Sequence, residues 1–212
     1  VWIEVKHFGL FGWFVVLGLS FFNYLLRFAR WHLYLKHLNY EVPKWVNFRF
    51  YLVGFAFTTT PGKVGEAIRS LYLKSYSVKY TDSIAAFFVE RLVDVIAMLL
   101  LSLLAAYVFE DWRWLIIALA VPLVLFLPLV RSSWLPSIIQ SSQRCFSSAG
   151  IQSLCKHLLT MIESSGVLLR SSRLYIGLIF GLLAWAAEGL GLYVIAQMLG
   201  IDISISLAIG IY

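Results

Sequence analysis

The stretch TTTPGKVGEAIR, residues 58–69, decides how this chain is read. It follows FYLVGFAF, residues 50–57, an apolar run of eight residues that is too short to cross a bilayer. It then sets a proline, two glycines, a lysine, a glutamate and an arginine within nine positions, 61–69. Thr60 is placed to cap a helix whose first position is Pro61, since proline suits the first helical turn. That turn carries unpaired N–H groups and the positive end of the helix dipole, an arrangement that attracts phosphate. Gly62 and Gly65 would let a ligand approach the backbone. Lys63 adds a charge, and Arg69 adds a planar fork suited to phosphate oxygens. Glu66, three residues before Arg69, would hold that arginine or meet a cationic group. An ordinary turn between two helices has the same spacing, so both readings stay open at this point.

Working outward, composition sets the class. The chain is 61% hydrophobic and 13% charged, with mean hydropathy +0.84. A soluble domain of 212 residues could not hide that much apolar surface. The expected fold is all-α, a polytopic membrane helix bundle, and the aromatic content of 17% suits belts at the two interfaces. A net charge of +6 does not imply nucleic acid, because the basic residues cluster between apolar spans. Spans are expected at 8–28, 83–109, 113–130 and 174–199, with a further one starting at 203–212. Pro122 and Pro128 are tolerable in the third if neighbours satisfy the freed carbonyls. The chain starts at Val1 without a methionine and stops inside an apolar segment, so it is expected to be part of a longer protein.

Lysine and arginine orient the spans. Nine fall within 27–82 and five within 131–173, against Lys6 and Arg113 on the other side. Both basic regions are therefore expected to face the cytoplasm. Residues 45–76, with basic flanks at both ends, are expected to form a re-entrant helical hairpin, the broken-helix device of transporter sites. The competing arrangement is an amphipathic loop on the membrane surface. Arg27, Arg30 and Trp31 are expected to be interfacial anchors. Ile151, Leu154, Cys155, Leu158, Leu159 and Ile162 recur at helical spacing and predict a cytoplasmic interfacial helix, or one packed on the bundle. Cys145 and Cys155 read as inert thiols, not as metal ligands.

Charges inside apolar helices mark function or locks. Glu90, Arg91 and Asp94 sit within one turn of the 83–109 segment, and Glu188 lies deep in 174–199. The first three need partners, for which Lys63 and Arg69 are the candidates. A structural ion-pair lock fits this pattern at least as well as a substrate or proton relay, and the two are compatible. Glu188 would line a cavity, take up a proton or bond a neighbouring helix. No catalytic residue, metal site or cofactor is expected: nucleotide-binding, zinc-protease and serine-hydrolase motifs do not occur.

RFARWHLYLKHL (27–38), TTTPGKVGEAIRSLYLKSY (58–76) and AAFFVERLVDVIAMLLL (85–101) together resemble the lysylphosphatidylglycerol synthase transmembrane family, also called the flippase-like domain family. Pro61, Gly62, Gly65, Glu66, Arg69, Glu90, Arg91 and Asp94 fall on its P-G-x-x-G-E-x-x-R and E-R-x-x-D positions. The resemblance implies a multi-pass protein of the cell membrane that translocates an aminoacylated or polyprenyl-phosphate lipid. It also implies possible partnership with a lipid-modifying synthase or glycosyltransferase. Pro61, Gly62, Lys63, Gly65, Glu66 and Arg69 would then hold the lipid headgroup. The alternatives are an intramembrane enzyme and an accessory subunit of such a synthase.

Overall fold

The structure, a computed structural model, describes residues 9–57, 60–106, 114, 117–118, 121, 134–145 and 149–212. Helix is the only regular structure among them. The α-helices are α1 (Gly9–His37), α2 (Lys44–Ala56), α3 (Arg69–Leu73), α4 (Tyr80–Ala106), α5 (Trp134–Cys145), α6 (Ala149–Leu168), α7 (Ser171–Met198) and α8 (Ile205–Ile211). Two 3-10 helices, Pro61–Ile68 and Lys74–Tyr76, flank α3. The expected span 113–130 lies outside the described residues apart from four positions.

Two helices, Gly9–His37 and Ser172–Met198, are long and apolar enough to cross a membrane. At about 1.5 Å per residue, α1 is about 43 Å long, more than the roughly 30 Å of a hydrocarbon core. Leu10, Phe14, Leu17 and Phe21 form a continuous exposed stripe on it, and Tyr175, Ile179 and Leu183 form another on α7. Stripes of this size would be a liability in water and are ordinary against lipid. The helix α1 also runs nine residues past the expected boundary at 28, carrying Arg27, Arg30 and Trp31 with it.

Three helical segments stop in the same way. Asn39, Ser77 and Gly200 all take positive φ. At each, the residue itself donates back three positions and its successor donates back five, for example Asn39 N–H to Lys36 and Tyr40 N–H to Leu35. This is the Schellman arrangement, which satisfies the last carbonyls of the helix. Lys36 and His37 in the last turn of α1 complement its dipole.

The chain divides into two compact units. The first takes residues 1–27, 93–124 and 176–212. Small residues bring its helices together: a Cβ on Gly189 would lie 2.6 Å from the Cα of Ile209, and one on Gly210 would meet the backbone of Ala105. Close approach through small residues is the usual packing of membrane helices, where dispersion replaces the hydrophobic drive.

The second unit takes residues 28–92 and 125–175. Within it α2 and the segment 61–76 form a hairpin with antiparallel arms. Phe57 faces Gly65, Gly54 faces Glu66 and Arg69, and Phe50 stacks on Tyr72 with centroids 5.5 Å apart. For the returning arm the sequence predicts an ordinary helix opened by Pro61. It is instead an eight-residue 3-10 helix leading into one short α-helical turn. Tight packing on α2 explains the difference. A Cβ on Gly65 would sit 2.6 Å from the Phe57 carbonyl oxygen and 2.8 Å from Thr60 Oγ1. The smallness of Gly65 thus admits the chain's own backbone. Gly65→Ala is expected to cost about 1–3 kcal/mol through overpacking, read as a lowered unfolding midpoint in detergent. An unchanged midpoint would mean that the turn is looser than described.

The helix α6 extends past the expected 151–162, and its C-terminal end carries the packing. Ser164, Ser165, Leu168 and Leu169 are buried, and Ser164 Oγ donates to Asp82 at 2.7 Å. Tyr40 donates to the other Asp82 oxygen. Burial first, and then that hydrogen bond, push the Tyr40 phenol above its ordinary pKa. Ile151, Leu154 and Leu158 stay exposed.

Candidate functional site

In the second unit the hairpin presses two charged side chains against α4. A 3-10 helix has three residues per turn, so positions three apart eclipse. Glu66 and Arg69 therefore point the same way, and each is only 1% exposed. Arg69 pairs with Glu90, which is fully buried. Arg30 Nη2 approaches Glu90 Oε1 at 3.7 Å and Arg91 Nη2 approaches it at 3.5 Å. Arg91 also reaches Glu66 at 3.5 Å. Tyr51 donates its hydroxyl proton to Glu90 Oε1 at 2.9 Å. Three arginines and two glutamates thus form one desolvated cluster with a formal charge of +1 among these five groups. Arg91 is its most accessible member, its side chain 19% exposed.

Aromatic rings wall the cluster. The Arg69 guanidinium carbon lies 3.6 Å from the Trp31 ring centroid, 4.8 Å from Tyr51 and 5.6 Å from Phe87. Trp31 Nε1 donates to Asn47 Oδ1 at 3.1 Å, and the Asn47 amide donates to His32 Nδ1 at 3.0 Å. Asn47 is fully buried and fixes both rings at once.

A second polar line runs through the first unit. Ser20, Asn23 and Arg27 recur on one face of α1 and meet α7 and α4. Ser20 Oγ donates to Glu188 at 3.2 Å, and Asn23 donates to the Ala184 carbonyl at 2.8 Å. Arg27 pairs with Asp94 at 3.5 Å and lies over Trp185 at 5.9 Å. Tyr212 donates to the second Glu188 oxygen at 3.2 Å. A cavity of about 350 Å³ opens in this unit, lined by Met98, Leu99, Ser102, Trp185 and Tyr212 among others.

Of the residues singled out from sequence, Glu66, Arg69, Glu90 and Arg91 come together in the second unit. Asp94 and Glu188 belong to the first, where each is engaged by α1. Asp94 thus pairs with Arg27, a cation that the sequence reading did not assign to it. Glu188 bonds neighbouring elements. Pro61 opens the 3-10 helix, with Thr60 extended before it. The Thr60 hydroxyl accepts from the Gly65 N–H at 2.7 Å and donates to the Phe57 carbonyl at 2.9 Å, so it pins the turn. The side chain of Lys63 lies outside the described residues.

Arg27, Arg30 and Trp31 are not interfacial anchors. They are 5%, 1% and 0% exposed, because the carboxylates of Asp94 and Glu90 draw both arginines inward and the Trp31 ring covers Arg69. Tyr51, Asn47, Ser20 and Asn23 were not anticipated. The spacing of Ser20, Asn23, Arg27, Arg30 and Tyr34 along one side of an apolar helix was the available signal.

A family model described as "Lysylphosphatidylglycerol synthase TM region" matches residues 1–212, the whole chain. No curated protein and no solved structure matches it.

Proposed function

Because the chain belongs to the lysylphosphatidylglycerol synthase TM region family, we propose that it is a flippase-like transporter for a charged-headgroup lipid, of aminoacylated or polyprenyl-phosphate type, in the cell membrane. Membership already makes it a membrane protein tied to lipid metabolism. The observation that carries the finer reading is the desolvated cluster of Glu66, Arg69, Glu90, Arg30 and Arg91, enclosed by a hairpin whose outer face is apolar. Leu52, Phe57, Leu71 and Tyr72 are exposed on that face. Charge of both signs, held inside an otherwise apolar helical protein, is costly to insert and is the usual mark of a polar path.

In this reading the hairpin enters the membrane from the cytoplasmic side and returns. Arg91 and Lys63 meet the lipid phosphate, while Glu66 and Glu90 keep the arginines oriented. Arg69 is enclosed in the structure, so it contributes to headgroup binding only after release from its rings. Acyl or prenyl chains stay in lipid. Single cysteines at Lys44 and Lys79, in a background without Cys145 and Cys155, should react with an impermeant thiol reagent from the same face. Labelling from opposite faces would remove the hairpin and the topology built on it.

Transport is tested in proteoliposomes with a headgroup-labelled lipid and an external quencher. The protein should accelerate exchange between leaflets. Arg91→Gln should slow it about tenfold, the loss of one charge-assisted hydrogen bond. Exchange no faster than in protein-free vesicles would overturn the transporter reading. The exposed Ile151, Leu154 and Leu158 face supports a second reading, an accessory subunit that docks a lipid-modifying synthase or glycosyltransferase. That protein would leave exchange unchanged and co-purify with the synthase only while the face is intact.

A further inference from the structure

Arg69 occupies a box whose chemistry exceeds what an ion pair needs. One carboxylate, Glu90, would suffice to neutralise it. Instead Trp31, Tyr51 and Phe87 present rings around the guanidinium at 3.6, 4.8 and 5.6 Å. Aromatic faces beside a carboxylate are the means by which proteins recognise alkylguanidinium and alkylammonium groups. The two closest walls are held by their own partners. Trp31 is tied to Asn47 and Tyr51 to Glu90, so neither depends on Arg69 for its position. The carboxylate does not depend on it either, since Arg30 and Arg91 both lie within 3.7 Å of Glu90.

The residue that fills the box is delivered by a weak element. The eight-residue 3-10 helix Pro61–Ile68 runs directly into Arg69. Such runs are uncommon beyond three or four residues, because their hydrogen-bond geometry is poor, and they often mark hinges. Box and occupant are therefore built differently: fixed walls, and a side chain on a segment able to yield.

We infer that Trp31, Tyr51, Phe87 and Glu90 form a cation-binding site whose resident ligand is the chain's own Arg69, and that an alkylguanidinium or alkylammonium group can take its place. This rests on the lipid-handling reading only for the source of a competing cation, a lipid headgroup as against a free amine. When the box is taken by another cation, Arg69 leaves it and its fork becomes available to an anion such as a lipid phosphate.

The test empties the box. Arg69→Ala and Arg69→Met are prepared in nanodiscs of zwitterionic lipid, the second keeping an apolar stem between the rings. Each is purified with ethylguanidinium present and dialysed, and thermal unfolding is followed as ethylguanidinium is returned. A saturable rise in melting midpoint is expected, about 5 °C at a hundredfold excess over Kd, with a smaller one in the wild type, where Arg69 competes for the box. A further Trp31→Leu change should abolish the rise. If a variant stays folded only while the cation is present, the inference is likewise supported. No saturable rise, an equal rise in the wild type, or failure to fold with the cation present would overturn it.

A parallel arm replaces free ethylguanidinium with a lipid bearing a trimethylammonium headgroup in the nanodisc. Stabilisation there supports the site and places the cation source in the bilayer. If the free cation stabilises the variants while the wild type moves no lipid, the site stands and the transporter reading falls. If lipid moves but no cation binds, the reverse holds.

Discussion

Glu90→Ala lowers the stability of the protein by about 3–5 kcal/mol, the usual cost of stranding buried charge by removing its partner. Arg69, Arg30 and Arg91 all lose a carboxylate within 3.7 Å. Tyr51 loses the acceptor of its hydroxyl proton, for which about 1–3 kcal/mol is typical. The charge effect dominates, and Glu90→Gln separates the two: the amide still accepts from Tyr51 but no longer balances the arginines. It should be nearly as damaging as alanine. Equilibrium unfolding in mixed micelles measures both. A loss below about 1 kcal/mol, the range of exposed ion pairs, would mean that water reaches the cluster and that it is not desolvated.

Asp94→Ala strands Arg27 in the first unit. Both side chains are about 5–6% exposed, and their separation is 3.5 Å, so a loss of about 3 kcal/mol is expected. The value sits at the lower end of the range because Arg27 also lies over the Trp185 ring. The double change Arg27→Leu with Asp94→Leu should recover that loss and match or exceed the wild type, since well-packed apolar residues often replace a buried pair without cost. A double variant less stable than either single would show that the pair does more than neutralise itself. Glu188 is not expected to follow this rule, because its partners Ser20 and Tyr212 are uncharged hydroxyls.

The helical architecture was legible because hydropathy and punctuation act locally. The run of apolar residues forms α1 and α7, and Pro61 with Thr60 opens the hairpin's return arm as the sequence indicates. The charged positions Glu66, Arg69, Glu90 and Arg91 were legible because a charge in an apolar helix needs a reason. What could not be read was the pairing. Arg27 and Arg30 stand where an apolar span gives way to basic residues, and that pattern is shared by interfacial anchors and by buried cations. Only the carboxylates of Asp94 and Glu90, 67 and 60 positions further along, decide between them. The packing role of Gly65 was hidden for a similar reason. A glycine two positions from Lys63 suggests ligand approach, yet the atoms that need its space belong to Phe57 and Thr60. The 3-10 geometry of 61–68 was not legible either, because it arises from packing on α2 and not from propensity.

The lock between hairpin and charged helix is tested most directly by a double-mutant cycle on Arg69→Ala and Glu90→Ala, with unfolding free energy as the readout. Arg69 and Glu90 share an ion pair in a site that excludes water, so their effects should not add. The double variant should be more stable than the sum of the singles predicts, by about 0.5–3 kcal/mol. Simple additivity would mean that Arg69 and Glu90 do not meet, and the site built around them would be wrong.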